Sequence, residues 1–356
     1  MAYSVFVGAG QWVGVVDDAR AQGLYGFDPE LGQWQPISKG LPDNLEVRYI
    51  AVRRDRPRTV YAGTQAGPYR SDDGGESWRA LPLPAGTSDE ESVVWSICLD
   101  PNNPDTIYVG TQGTAVFRSD NGGDAWRRLA IEAPDGALKA NFPMRVIRIA
   151  VTSENSDHIL VAFEIGGLVR SLDGGESWDT CNKDLLEMSE QTHLRSAIVS
   201  DNETEGMMDS HALALSPGHP DTVWLANRMG LFRSDDQGAH WREFGIGRFS
   251  PLTYARDVIV SDHLTDRMYA ALSVAATSDE GSLYRSDDFG ATWSRFDHGV
   301  SIESTLMTVA ESVTTPDRVY CAARRGQVFG TEDGGKSWRA HQLPHGVQGV
   351  YALACT

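Results

Sequence analysis

The sequence predicts an all-β fold, a seven-bladed β-propeller with four-stranded antiparallel blades, and three observations predict it. An octet ending in tryptophan recurs: SDDGGESW at 71–78, SLDGGESW at 171–178, SDDQGAHW at 234–241 and SDDFGATW at 286–293, with the variants SDNGGDAW at 119–126 and TEDGGKSW at 331–338. A seventh, divergent copy, FDPELGQW at 27–34, keeps the tryptophan, so the closing residues Trp34, Trp78, Trp126, Trp178, Trp241, Trp293 and Trp338 stand 44 to 63 residues apart, the length of one blade each. The repeat is also cut unequally at the two ends, as a ring closed by its own termini requires.

Upstream of each octet the same strand order returns, in one repeat as RYIAVRR, TVYAGT, GPYRSDD and WRALPL; these are strands A to D. Short runs of alternating apolar and polar residues between Gly, Pro and Asp turns are strands. Strand A falls at about 48–53, 95–100, 147–152, 211–216, 256–261, 307–312 and 351–355. The last, YALACT, has no B, C or D after it, whereas the N-terminus opens on a B-like SVFVGAG followed by a C-like GLYGFD and a D-like WQPI. One blade is therefore split, 1–37 plus 348–356, and the C-terminal strand A pairs with the N-terminal strands B, C and D, leaving no free sheet edge. Residues 1–356 form one propeller domain, with one long insertion at about 179–209.

Composition narrows the functional classes. With 31 basic and 49 acidic residues the net charge is −18, which opposes binding to nucleic acid or to an anionic membrane. The start MAYSVFVGAG has no basic stretch before a long apolar run, and no segment reaches the roughly 18 apolar residues of a membrane span, so the expectation is a cytoplasmic protein. Cys98, Cys181, Cys321 and Cys355 lack CxxC spacing, and the three in strand-like runs read as small buried hydrophobes.

Within an octet, the Ser hydroxyl and Asp carboxylate satisfy turn N–H groups, Gly takes a backbone conformation others resist, and Trp buries its ring. The octet is a staple, not a source of catalytic aspartates. A site is expected instead on the face where the D-to-A and B-to-C connections emerge. Aligning blades by the start of strand B places Arg48, Trp95, Ile147, His211, Arg256, Met307 and Tyr351 in one ring. Two residues earlier lie Glu46, Val93, Arg145, Asp209, Tyr254, Thr305 and Gly349, and the B-to-C turn contributes Gly10, Gln65, Gln112, Glu164, Arg228, Ser273 and Arg324. Equivalent positions of a purely structural repeat look alike; these do not, which points to a binding face rather than to polar residues merely ringing a wet channel.

Five arginines, Arg48, Arg145, Arg228, Arg256 and Arg324, gather there in an acidic protein, which favours an anionic ligand, a small molecule or an acidic peptide. Trp95, Tyr254 and Tyr351 supply flat faces, and Glu164, Gln65 and Gln112 polar contacts. Asp209 and His211 lie two apart on a strand and so face the same way; with Tyr351 they offer an acid, a base and a proton donor. Two readings stand: a non-catalytic binding propeller, or a lyase, isomerase or hydrolase using His211, Asp209 and Tyr351. No cofactor is expected; a divalent metal held by His211, His193 and carboxylates of the insertion is a weaker alternative, because the spacing fits no strong metal motif. The insertion and the connections QWVGVVDDARAQ at 11–22 and SVAATSDEG at 273–281 are positioned to roof the channel.

The pattern S-x-D-x-G-x-x-W resembles the Asp box, or BNR repeat. Sialidases carry it on six blades with an arginine triad and an early Arg-Ile-Pro motif, absent here. HALALSPGHPDTVW at 211–224 and GLFRSDDQGAHW at 230–241 are similar to xyloglucan-type endoglucanases, which set two propellers face to face around catalytic aspartates. This chain has one propeller, and neither aspartate has a counterpart. The chain also resembles photosystem II assembly factors, single seven-bladed propellers that dock a protein through an arginine-bearing face, though without the leader expected there. Sortilin-type propellers have more blades.

Overall fold

In the computed structural model, which describes residues 3–11, 22–134, 138, 142–344 and 346–356, seven four-stranded antiparallel sheets form the ring. Strands A are Val350–Cys355 in blade 1, then Val47–Val52, Val94–Leu99, Val146–Val151, Ser210–Ser216, Tyr254–Val260 and Leu306–Glu311 in blades 2 to 7. Each begins a residue or two before the expected start. In blade 1, Val350–Cys355 pairs antiparallel with Val5–Ala9, followed by Gly23–Asp28 and Gln33–Ile37, so the termini close the ring. Among the described residues the two α-helices, α1 (Lys183–Ser189) and α2 (Glu205–Met208), both lie in the 179–209 insertion, and no helix is long and apolar enough to cross a membrane. The four cysteines are unbridged, and all but the half-buried Cys98 are buried.

The octets act as staples. In blade 2, the Ser71 hydroxyl donates to Asp73 at 2.7 Å and accepts the Gly75 N–H at 2.9 Å, while Asp73 accepts the Ser77 N–H at 2.9 Å and its hydroxyl at 2.5 Å. Asn121 makes two of these contacts without a charge, to the Ser119 hydroxyl and the Ala125 N–H. In the divergent octet Asp28, one position early, accepts the Glu30 and Leu31 N–H groups. Arginines just before the octets tie blades together: Arg70, Arg118, Arg170 and Arg285 each donate to a turn carbonyl of the next blade's octet, at Gly122, Gly174, Asp236 and Gly334.

Hydrogen bonds from the Ser177 hydroxyl and N–H hold the Asp173 carboxyl at about 2, and those from Ser337 do the same for Asp333. At Asp73 partial burial pushes the other way, but Ser77 and Ser71 outweigh it and the value is again about 2. The folded values lie below the ordinary 3.8, so these bonds stabilise the fold above about pH 4, and the contribution is lost as pH falls through about 2. A triple Asp73→Asn, Asp173→Asn, Asp333→Asn variant is therefore expected to show a flatter stability curve between pH 4 and 2 than the parent by urea titration; parallel curves contradict the staple's ionic character.

Every strand A carries a β-bulge near its start. The register skips one residue between Val47 and Tyr49, Val94 and Ser96, Val146 and Arg148, Ser210 and Ala212, Ala255 and Asp257, and Leu306 and Thr308, and between the partners of Gly8 and Ala9 in the last strand. The skipped residues are Arg48, Trp95, Ile147, His211, Arg256, Met307 and Tyr351, the ring identified from sequence. A bulge takes one residue out of the ladder and re-aims its side chain.

Further along the channel Arg148 of blade 4 reaches Asp257 of blade 6 at 3.5 Å and stacks over Tyr49 of blade 2 at 5.0 Å. Asp257 is buried and also accepts the Thr308 hydroxyl at 2.9 Å and the Val309 N–H at 3.1 Å. These groups form a polar septum. Beyond it, a cavity of about 360 Å³ is lined by the far ends of the A strands, where Arg54 of blade 2 pairs with Asp262 of blade 6.

Candidate functional site

On the near side of the septum a cavity of about 230 Å³ opens among the starts of the A strands. The three aligned columns meet there because the backbone ties them: the N–H groups of Gln65, Gln112, Glu164, Arg228 and Arg324 donate to the carbonyls of Glu46, Val93, Arg145, Asp209 and Thr305 at 2.9 to 3.2 Å. Trp95, Arg145, Glu164, Asp209, His211, Arg228, Tyr254, Arg256 and Tyr351 all line the cavity.

One wall is an aromatic and guanidinium stack. Trp95 lies between Arg48, 4.0 Å from its ring centroid, and Arg145, 4.3 Å from it, and meets Tyr351 edge-on at 5.8 Å. Each arginine also has a carboxylate: Arg48 pairs with Glu46, and Arg145 with Glu164 at 2.7 Å. Cation–π contacts of this kind contribute on the order of 0.5–2 kcal/mol each. They hold the Trp95 ring in place. Burial holds Glu164 above the usual carboxylate range despite Arg145. The Tyr351 hydroxyl donates to the Gln11 carbonyl at 2.6 Å, and burial raises its pKa.

The opposite wall centres on His211. Its Nδ1 donates to the Ala255 carbonyl at 2.7 Å, which leaves Nε2 to accept from the Tyr254 hydroxyl at 3.4 Å, with an Asp209 oxygen also 3.4 Å away. Tyr254, rather than Tyr351, is thus the phenol beside the imidazole. Burial lowers the His211 pKa and raises Tyr254 to about 12. Burial also pushes Asp209 upward, but His211, Arg256 and Arg228 outweigh it and keep it ionised. Arg228 stands 4.0 Å from Asp209. Arg256 makes no hydrogen bond or ion pair among the described residues, although it lines the same cavity.

Four expected contributors lie elsewhere. Arg48 sits behind Trp95; Arg324 is buried in register but outside the cavity wall; Gln65 is exposed and donates to the Asn44 carbonyl; and Gln112 bridges to Arg145 through its backbone. His193 pairs with Glu243 at 3.0 Å rather than joining His211, and among the described residues no group of His, Cys, Asp or Glu is arranged to hold a metal ion. Of the three connections, the insertion contributes Ile198 and Val199, and 273–281 contributes Ala276, while 12–21 lies outside the described residues. Sequence reasoning missed the apolar part of the wall, including Phe142 and Ile165. The one available signal was AIV at 197–199, an apolar run within a polar insertion.

Glu205 organises that roof. Its buried carboxylate accepts the N–H groups of Ile198, Val199 and Ser200 and the Ser200 hydroxyl, all within 3.2 Å. Burial alone would raise its pKa, but these donors outweigh it and hold it low.

The ring and its staples define the class: a seven-bladed propeller built on BNR/Asp-box repeats. The BNR/Asp-box repeat model itself matches residues 69–80 and 284–295, in blades 2 and 6. No curated protein matches the chain in sequence. Among solved structures it is similar to the GH74 xyloglucanase from Xanthomonas campestris, with a TM-score of 0.65 and 18% identity over 86% of this chain and 46% of that one. It is also similar to YCF48 from Cyanidioschyzon merolae, with a TM-score of 0.56 and 14% identity over 85% and 86%, and to YCF48 bound to D1 peptide, with a TM-score of 0.53 and 15% identity over 83% and 80%. The chain spans less than half the length of the GH74 enzymes it resembles, 40% for an ancestral GH74 enzyme. At these identities the likeness is one of fold.

Proposed function

We propose that this propeller is a binding protein whose cavity takes a small anionic molecule anchored on Arg256. The observation that carries the reading is an arginine in the wall of a half-enclosed, largely apolar cavity, without a hydrogen bond or ion pair among the described residues, while its neighbours Arg145 and Arg228 stand beside Glu164 and Asp209. A guanidinium with no carboxylate in contact gains most from a ligand that brings one. His211 supports binding over turnover: it is almost wholly buried, its Nδ1 is held by a backbone carbonyl, and its Nε2 faces Tyr254 and Asp209. It shapes the wall rather than offering a free base.

The test is a thermal-shift titration with small carboxylates, repeated on Arg256→Gln. Ligand at 100-fold its dissociation constant stabilises a protein by about 2.7 kcal/mol. The parent is expected to gain several degrees and the variant none. Equal shifts in both, or none in either, would remove Arg256 as the anchor.

A further inference from the structure

We infer that the cavity is selective for a monocarboxylate with an apolar body, and that Ile198 and Val199, held in place by Glu205, read that body. The inference rests on the cavity being an anion site and names the class of anion. Its first support is a charge count. Arg145 is paired with Glu164 at 2.7 Å, Arg228 stands 4.0 Å from Asp209, and Glu205 is saturated by three N–H groups and a hydroxyl. His211 is held neutral by burial. Arg145, Arg228 and Arg256 thus face Glu164, Asp209 and Glu205, three charges against three, and Arg256 is the one guanidinium of the cavity wall with no carboxylate at ion-pair distance among the described residues. A phosphate dianion or a dicarboxylate would carry a second negative charge towards Asp209 and Glu164 with no cation left to receive it.

The second support is the composition of the rest of the wall. Ile147, Ile165, Ile198, Val199 and Ala276 line the same space as Arg256, together with Phe142 and with Trp95, whose ring its two arginines hold in place. Polar hydroxyls of a sugar would find few partners among them, because the Tyr254 and Tyr351 hydroxyls are directed at His211 and at the Gln11 carbonyl. At about 230 Å³ the cavity falls below the roughly 300–1,000 Å³ of sites for drug-sized molecules, which limits the occupant to a small acid or to one end of a larger one.

The third support is Glu205. Val199 is 49% exposed, yet it lies over the cavity, and an apolar residue stays so placed only if its backbone is pinned. The buried carboxylate supplies the pin, collecting three consecutive N–H groups of the loop in one place. Glu205 is in this sense a positioning residue. It touches the roof, and the roof touches the ligand.

Isothermal titration calorimetry on the full chain tests this with acetate, butyrate, phenylacetate, succinate and inorganic phosphate. Affinity is expected to rise by about tenfold or more from acetate to butyrate, since butyrate adds two methylenes and each buried methylene is worth roughly a factor of four. Phenylacetate should bind at least as tightly as butyrate, and succinate and phosphate no more tightly than acetate. An Ile198→Ser, Val199→Ser variant is expected to lose the gain from acetate to butyrate. The selectivity is overturned if succinate or phosphate binds more tightly than butyrate, or if the variant keeps the parent's ranking. Absence of binding by every acid would overturn the anion site itself, a separate result.

Discussion

Removal of Val350–Thr356 is expected to leave a chain that does not melt cooperatively and associates in solution. This segment is strand A of the split blade; it pairs along Val5–Ala9, and Thr356 adds an N–H bond to the Ser4 carbonyl at 2.9 Å. Val350, Leu353 and Cys355 are buried in a cluster with Tyr25, Phe27, Trp34 and Tyr320, which joins blade 1 to blade 7. Burying each large aliphatic side chain contributes roughly 1.5–3 kcal/mol, and a domain's whole net stability is only about 5–15 kcal/mol. The loss also exposes the unpaired edge of Val5–Ala9, a template for pairing with other chains. Size-exclusion chromatography with thermal unfolding measures both consequences. A truncated chain that elutes as the parent does, and melts as sharply, would mean that six blades and a partial seventh suffice.

The second large effect is expected at the septum. Asp257→Ala should destabilise by about 1–3 kcal/mol, the cost of leaving buried donors unsatisfied, because the Thr308 hydroxyl and the Val309 N–H lose their acceptor and Arg148 its carboxylate. Asp257→Asn keeps an oxygen for Thr308 or Val309 and should cost less. Urea midpoints for the two variants decide the matter. A difference from the parent under about 1 kcal/mol for Asp257→Ala would show that water replaces the carboxylate without penalty.

The fold was legible because a repeat carries its own alignment. Octets and strand starts recur in register, so residues equivalent in sequence are equivalent in space, and the column from Arg48 to Tyr351 proved to be the bulge positions. Three features lay outside that reasoning. Pairing between columns, such as Arg145 with Glu164 and Arg48 with Glu46, depends on side-chain reach rather than on period. The cavity draws on blades 3 to 6 and Tyr351, and so leaves out Arg324, Gln65 and Gln112, because only some column members face it. The apolar roof comes from a non-repeating insertion, which has no sister copies against which to set a register. The octet at 27–34 shows the same limit in miniature: Asp28, one place earlier than the usual aspartate, holds the turn through different N–H groups, those of Glu30 and Leu31.

The sevenfold bulge separates the lining of the mouth from what holds the ring together. A residue that has left the ladder can change its chemistry while the interstrand hydrogen bonds on either side stay as they are. Five of the seven bulge residues, Trp95, Ile147, His211, Arg256 and Tyr351, line the cavity, so point substitutions there change its chemistry on a constant chassis. Deleting one residue from the same bulge is a different event. It would restore a continuous ladder and turn the first residue of that strand to the opposite face, closing that position to the mouth.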